Sequence, residues 1–202
     1  MEAWYLVAGL GNPGPQYERT RHNAGFLLAE RLARRWGADW SVERAFESRL
    51  ARVSRGNARV LLCQPLTFMN LSGRAVVALA RYFQIPADRI LVAVDDADLA
   101  LGQIRLRPGG GTGGHHGLES VLAHLGTDAF PRLRIGIGRQ PGTREITGYV
   151  LSPFTAEEWE RLQPVLDRAA EQVECWLDHG LARAMNLYNG WVNPPPGRSD
   201  ET

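Results

Sequence analysis

A small set of polar side chains, each expected at a turn of the chain, has the clearest capacity for chemistry in this sequence. The set is His22, Asp95, Asn12 and Asn70. An imidazole can take a proton from water, a carboxylate can hold that imidazole in the required tautomer, and amides can donate hydrogen bonds to a carbonyl oxygen that gains charge. Because the set includes no evident nucleophile, it predicts hydrolysis by an activated water molecule.

Plainer interpretations of the same side chains stay open. A histidine before a helix can simply bond the first turn, and an asparagine between glycine and proline, such as Asn12, is typical of turns. Asp95 is followed by Asp96 and Asp98, which together could bind a metal ion, but no histidines at ligand spacing lie close by in the sequence. The sequence therefore favours an orienting role for Asp95, and we expect neither a metal nor a cofactor.

Two common enzyme motifs are absent or incomplete. No G-x-S-x-G motif is present, and Ser72 is better explained as the cap of a helix than as a nucleophile. The spacing of Gly9, Gly11 and Gly14 satisfies the G-x-G-x-x-G pattern of dinucleotide-binding proteins. Two prolines in the same loop prevent a helix from starting there, so a nicotinamide or flavin site is disfavoured.

The elements that must position these residues follow from the alternation of apolar runs, glycine turns and amphipathic stretches. We predict strands over residues 4–8, 48–54, 58–64, 90–94, 103–107 and 133–137, and helices over 23–36, 72–83, 116–125, 155–179 and from 181. This alternation predicts an α/β fold, a single domain with a twisted, mostly parallel or mixed β-sheet and helices on both faces. Ligands bind such sheets at the carboxyl ends of the strands, where the loops hold the candidate residues.

The expected domain spans residues 1–192, and the polar, proline-rich segment 193–202 is expected to be a disordered tail. Residues 138–154 are predicted to be irregular. With 44% hydrophobic and 22% charged residues, the chain has a globular composition, and no apolar stretch is long enough to span a bilayer. The first residues lack the basic lead of a secretory signal, so we expect a cytoplasmic protein. Cys63 and Cys175 are expected to be buried free thiols.

A glycine-rich loop and a group of arginines indicate a site for phosphate groups. Residues 109–114 offer up to six consecutive backbone N–H groups before a helix, the form of an anion-binding nest, although a merely mobile loop is the plainer interpretation. All 23 basic residues are arginine. Residues two apart on a strand share a face, so a phosphate-facing strip is one interpretation of Arg105, Arg107, Arg132 and Arg134, although a solvated strand face is the plainer interpretation of any single arginine.

Five segments in order resemble the bacterial-type peptidyl-tRNA hydrolases: GLGNPGPQYERTRHNAGF (residues 9–26), TFMNLSGRAV (67–76), the run from Asp95 to Leu99, GGGTGGHHGLES (109–120) and RLRIGIGRQPG (132–142). The resemblance implies a monomeric α/β hydrolase that cleaves the ester between a peptide and the 3′ end of a tRNA. It implies His22 as catalytic base and Asp95 as its partner. It also implies substrate or tRNA binding by Asn12, Tyr17, Asn23, Met69, Asn70, His115, His116, Arg107 and Arg134.

One departure from the family pattern falls at His116, where relatives usually carry asparagine after the first histidine. A neutral histidine can also donate and accept a hydrogen bond at once, in a different shape. Two other functions are compatible with the same residues: a catalytically silent RNA-binding module on this fold, and a phosphodiesterase that combines His22 with the glycine loop. The complete set of polar candidates favours the hydrolase.

Overall fold

Eight strands form one mixed β-sheet in the computed structural model, which describes residues 3–139 and 146–193. The strands are β1 Ala3–Gly9, β2 Ser41–Glu43, β3 Ser48–Arg55, β4 Ala58–Pro65, β5 Ile90–Asp96, β6 Gln103–Arg107, β7 Arg132–Gly136 and β8 Gly190–Trp191. The helices are α1 Ala24–Arg35, α2 Ser72–Tyr82, α3 His116–Leu125, α4 Ile146–Val150, α5 Ala156–His179 and α6 Leu181–Tyr188.

The strand order is β2-β3-β4-β1-β5-β7-β6-β8, with four parallel strands at the centre of the sheet. β1 pairs in parallel with β4 and β5, and β5 pairs in parallel with β7. The β3–β4 and β6–β7 pairs are antiparallel. The α/β fold with a mixed sheet, predicted from the sequence, is confirmed.

Helices cover both faces of this sheet because the central strands are apolar on both sides. Along β1, Val7 packs into the core beneath α1 and α5, whereas Leu6 and Ala8 pack into the core beneath α2 and α3. Alternate residues of a strand point to opposite faces. A strand that is buried on both faces therefore has a continuous run of apolar residues in its sequence, and both β1 and β5 show this pattern.

The chain changes direction across the sheet next to β1. From β1 it passes through α1 and the β3–β4 hairpin on one side, and it then returns through α2 to β5 on the other side. The carboxyl ends of β1 and β5 are therefore neighbours with diverging loops, the usual ligand-binding position in open α/β sheets. The loop after β1 carries Asn12 and His22, and β5 ends with Asp95 and Asp96.

Two glycines allow the start of α1 to lie directly on these strand ends. A Cβ atom at Gly25 would lie 2.2 Å from the carbonyl oxygen of Ala93, and one at Gly9 would lie 2.1 Å from the carbonyl oxygen of Gly25. Any side chain at either position would push helix and sheet apart. The close approach brings the turn Arg21–Asn23, just before α1, against the end of β5.

The structure differs from the sequence-based prediction in its shortest elements and in one cap. β2 and β8, of three and two residues, carry too little pattern to be recognised. The segment predicted to be irregular contains α4, and residues 140–145 within it lie outside the described part of the chain. Ser72 is the first residue of α2, and its hydroxyl donates to the carbonyl oxygen of Met69 at 2.9 Å, so its predicted capping role is wrong.

Three further expectations concern the tail, the cysteines and the membrane. From residue 194 onward the predicted tail lies outside the described residues. Cys63 and Cys175 are buried free thiols, as predicted, and burial raises the pKa of Cys63 to about 12. Within residues 3–139 and 146–193, no helix has the length and apolar character needed to cross a membrane.

Candidate active site

The structure brings His22 and Asp95 together at the carboxyl ends of the central strands. His22 Nδ1 lies 2.8 Å from Asp95 Oδ1, and the two residues are 9% and 3% exposed. A carboxylate at this distance accepts a hydrogen bond from Nδ1, which fixes the ring proton there. Nε2 of His22 therefore keeps its lone pair and can accept a proton from a water molecule.

A second histidine binds the same carboxylate oxygen. His115 Nε2 lies 3.0 Å from Asp95 Oδ1. His115 is also the N-cap of α3, where its Nδ1 accepts hydrogen bonds from the backbone N–H groups of Gly117 and Leu118 at 3.1 and 3.3 Å. Because Nδ1 accepts, the proton of this ring must lie on Nε2 and point at Asp95. Asp95 thus receives one N–H bond from each histidine.

The ionisation of Asp95 follows from these contacts. Burial alone would raise the pKa of the carboxyl group, but the hydrogen bonds of His115 and His22, and the positive charge that either ring carries when it is protonated, outweigh burial. The pKa of Asp95 is therefore well below its usual value, and the group is a carboxylate throughout the neutral range.

The cluster of His22, Asp95 and His115 also has to be tested as a metal site, because its three ligand atoms lie within 4.8 Å of one another. The sequence argument against a metal was that no histidine lies near Asp95 along the chain, and folding removes that argument. The positions of the ring protons provide a different argument against a metal. A metal on Nε2 of His115 would force the ring proton onto Nδ1, where it would face two backbone N–H groups. The cluster therefore fits a hydrogen-bonded triad better than a metal site.

Asn12 is fixed so that its amide nitrogen is available to a ligand. The backbone N–H of Met69 donates to Asn12 Oδ1 at 2.8 Å. An N–H donor identifies the acceptor as oxygen, so the opposite side-chain atom is the NH₂ group. Asn23 holds the backbone of Asn12 through two further bonds, of 2.8 and 3.0 Å. Asn12 itself is 7% exposed and lines the cavity beside His22.

A cavity of about 450 Å³ opens above these groups. Its floor is polar and is formed by Asn12, His22, Asp95 and His115. Above the floor, the lining includes four apolar residues, which we call the apolar wall: Phe68, which is 57% exposed, Ile146, Val150 and Leu151. Polar groups, among them Asn70, Asp98, His116 and Arg139, line the rest of the rim. A polar floor beside an apolar wall suits a substrate that presents a carbonyl group to the floor and an apolar or aromatic group to that wall.

Comparison with known proteins assigns the chain to a family. A sequence model described as peptidyl-tRNA hydrolase matches residues 6–196, which is most of the chain. The chain belongs to the peptidyl-tRNA hydrolase family.

Curated members of the peptidyl-tRNA hydrolase family are similar over nearly their full lengths. The peptidyl-tRNA hydrolase of Gloeobacter violaceus is 49% identical over 192 residues, covering 94% of this chain and 97% of the relative. That of Moorella thermoacetica is 50% identical over 186 residues, covering 91% and 97%. The crystal structure of the Acinetobacter baumannii peptidyl-tRNA hydrolase has a TM-score of 0.88 at 38% identity, covering 95% of this chain and 97% of that one.

The other site residues implied by the family resemblance fall into two groups. Those that line the cavity are Met69, Asn70, His116 and Arg134. Asn23 lies beneath the floor, 2% exposed, because both of its amide atoms bond the backbone of Asn12. Tyr17 is half-buried outside the cavity, and Arg107 is exposed on β6 beside a separate cavity of about 240 Å³.

His116, which departs from the family pattern, begins α3 at the rim of the cavity. Its side chain is 71% exposed, and its Nδ1 lies 3.1 Å from a carboxylate oxygen of Glu119. The pairing with Glu119 leaves Nε2 as the ring atom that can bond a ligand or water. This histidine is therefore accessible, in contrast to the buried His115 beside it.

The glycine loop is bonded differently from the predicted anion nest. Arg132 is 1% exposed and donates to the carbonyl oxygens of Gly110 and Asp128. Arg134 donates to the carbonyl oxygen of Gly111 at 2.8 Å and to Asp96 Oδ2 at 3.1 Å. The prediction that Arg132 faces phosphates is wrong, because the loop covers it and supplies its acceptors.

Sequence reasoning missed the apolar wall. Phe68 directly precedes Met69 and Asn70, which the family resemblance had singled out, but it carries no polar group that would attract attention. Ile146 and Val150 are spaced i, i+4, which places them on one face of α4. This spacing was the available signal, but a five-residue helix gives too short a pattern to be recognised.

Proposed function

We propose that this protein hydrolyses the ester bond between the peptide and the 3′ end of the tRNA in peptidyl-tRNA, and so returns tRNA to use. The observation that carries the proposal is the hydrogen bond of His22 to Asp95 on the floor of a cavity, with Nε2 of His22 free to accept a proton. The family to which the chain belongs agrees with this chemistry.

The proposed reaction uses His22 first as a base and then as an acid. Nε2 takes a proton from water as the water oxygen bonds to the ester carbonyl carbon. The NH₂ group of Asn12, with Asn70 at the rim, donates to the carbonyl oxygen as it gains negative charge. When the ester C–O bond breaks, Nε2 returns the proton to the ribose oxygen. Asp95 remains ionised and stabilises the protonated imidazole between the two steps.

Substrate binding is proposed to divide between the rim and the basic surface. The apolar wall would receive the peptide or the terminal base, while Met69, His115 and His116 would shape the cavity around the scissile bond. Arg107, which is exposed, would bind tRNA phosphates. Arg134 would also bind them, although it already bonds Asp96 and Gly111. Tyr17 and Asn23 are assigned to positioning the loop that carries Asn12.

The test is the release of intact tRNA and free peptide from peptidyl-tRNA by wild type and His22→Ala. Loss of the general base is expected to lower kcat by about 10²- to 10⁴-fold. His179→Ala, an exposed histidine at the end of α5, is the matched control and should retain wild-type activity.

The same assay decides between the proposal and the two alternatives. A silent RNA-binding module would bind peptidyl-tRNA without releasing peptide, and His22→Ala would behave like wild type. A phosphodiesterase would shorten the tRNA on a denaturing gel. Either result would contradict the proposal.

We also propose that the protein acts as a monomer in the cytoplasm, without a metal or cofactor, and that residues 1–192 form the catalytic unit. The complete floor of the cavity comes from one chain, which supports the monomer. Sedimentation of the active protein tests the monomer, and assay in the presence of a chelator tests whether a metal is needed.

A further inference from the structure

The wall of the cavity formed by α4 has little hydrophobic anchorage of its own. α4 spans five residues, Ile146–Val150, and none of them is buried. Tyr149 and Val150 are partly buried against the core, and the Tyr149 hydroxyl donates to the carbonyl oxygen of Ile137 at 2.8 Å. A helix of one and a half turns is unstable in isolation, so its position depends on side chains that reach it from elsewhere.

Arg21 contacts both α4 and the segment that follows it. One guanidinium nitrogen, Nη1, donates to Ser152 Oγ at 2.5 Å and to the carbonyl oxygen of Pro153 at 3.0 Å. The other, Nη2, bonds Glu158 at 2.5 Å, at the start of α5. The guanidinium also stacks over the ring of Tyr149, 4.3 Å from its centroid. This side chain is only 6% exposed.

The backbone on both sides of Arg21 pairs with the same segment. The N–H of Arg21 donates to the carbonyl oxygen of Ser152 at 3.1 Å, and the N–H of Phe154 donates to the carbonyl oxygen of Arg19 at 3.0 Å. Thr20 and Pro153 form an isolated antiparallel bridge. Residues 19–21 and 152–154 are therefore joined by backbone hydrogen bonds as well as by the Arg21 side chain.

Arg21 is adjacent to the proposed base, and the two side chains leave the same turn in different directions. His22 bonds Asp95 and Arg21 bonds the segment that follows α4. We propose that Arg21 is a positioning residue that fixes the distance between the α4 wall and His22, and thereby sets how tightly the substrate is held. This inference rests on the proposed hydrolysis of peptidyl-tRNA.

The role predicts a change in KM rather than in kcat. Arg21→Lys keeps a positive charge for Glu158 but removes the planar fork and the stacked guanidinium. His22 stays bonded to Asp95 and His115 remains in place, so the chemical step should change little. We expect KM for peptidyl-tRNA to rise about tenfold while kcat falls by less than about threefold.

A matched control separates this role from a general loss of stability. Arg31 also ties α1 to α5, through the carbonyl oxygen and side chain of Gln163 and through Asp167, but it does not touch the α4 segment. Arg31→Lys should leave KM unchanged. A merely structural role for Arg21 would lower the fraction of active molecules, which reduces kcat and leaves KM as in wild type.

Hydrogen exchange provides a readout that does not depend on activity. Amides of residues 147–154 should exchange faster in Arg21→Lys than in wild type or Arg31→Lys, because the segment opens more often. Ser152→Ala removes one of the Arg21 bonds and should shift KM and exchange in the same direction, by less. Unchanged exchange in both Arg21→Lys and Ser152→Ala would overturn the inference, even if wild type proved inactive on peptidyl-tRNA. Faster exchange with an inactive wild type would instead count against the proposed function alone.

Discussion

The floor of the cavity rests on the ends of β1 and β5, whereas two of its walls, the short helix α4 and the glycine loop, are held by arginine side chains. On the floor, His22, Asp95 and His115 are buried and bonded to one another at 2.8 and 3.0 Å. In the walls, α4 and the glycine loop contribute few buried side chains, and Arg21, Arg132 and Arg134 bind their backbone carbonyl groups or flanking residues.

The difference separates two tasks in the proposed hydrolysis. A base must be held in one geometry, because small displacements of reacting groups slow the chemical step strongly. Walls that only enclose the substrate, as proposed, can be joined to the core by a few polar contacts. Substitutions in the floor should therefore act on kcat, and substitutions in the walls should act on KM or on local stability.

The largest expected effect comes from Asp95→Asn in the floor. An amide NH₂ facing His22 Nδ1 would favour the wrong ring tautomer and would leave the protonated imidazole without a charge partner, so kcat should fall by about 10³-fold or more. The next residue, Asp96, bonds Arg134 in the wall and provides the control. Asp96→Asn should retain kcat within a few-fold, as measured by single-turnover hydrolysis. Equal losses of kcat in the two variants would contradict the distinction between floor and wall.

A smaller effect is expected from Arg132→Met in the wall. The thioether fills the space but leaves the carbonyl oxygens of Gly110 and Asp128 without their donor, which should lower the free energy of unfolding by about 1–3 kcal/mol. Urea unfolding measures this loss, and kcat at a temperature where the variant is folded should remain close to that of wild type. A loss of kcat as large as that of Asp95→Asn would show that the glycine loop helps to hold the floor.

The smallest expected effect concerns the free energy of unfolding at acid pH, and it is not visible at neutral pH. The pKa of Asp95 is lowered from the usual 3.8, so the stabilisation it provides is fully present above that value and is lost as pH falls through the lower pKa of the folded state. Below about pH 4, the free energy of unfolding of wild type should fall more steeply than that of Asp95→Asn. Parallel pH curves for the two proteins, measured by urea unfolding, would contradict this account.

The sequence predicted the floor better than the walls, for physical reasons. Apolar runs and glycine turns locate β1 and β5, and the rule for parallel sheets places Asn12, His22 and Asp95 at one edge. The second bond of Asp95, to His115, could not be predicted, because nothing local shows that the helix after the glycine loop begins against β5.

The walls depend on contacts between segments that are distant in sequence. Alternation correctly placed Arg132 and Arg134 on one face of β7, but it could not show that the glycine loop covers Arg132. The bonds of Arg21 join residues more than 130 positions apart in the chain. Spacing within a single segment carries no information on such pairs.

The turn Arg21–Asn23 constrains how the chain can vary in length. Three successive residues there serve three partners: the segment after α4, the carboxylate of Asp95 and the backbone of Asn12. A 3₁₀ turn has three residues, so inserting or deleting one residue would rotate every side chain by about 120° and give each the direction of its neighbour. A change of one residue in this turn would therefore disturb the base, the floor and the α4 segment at the same time.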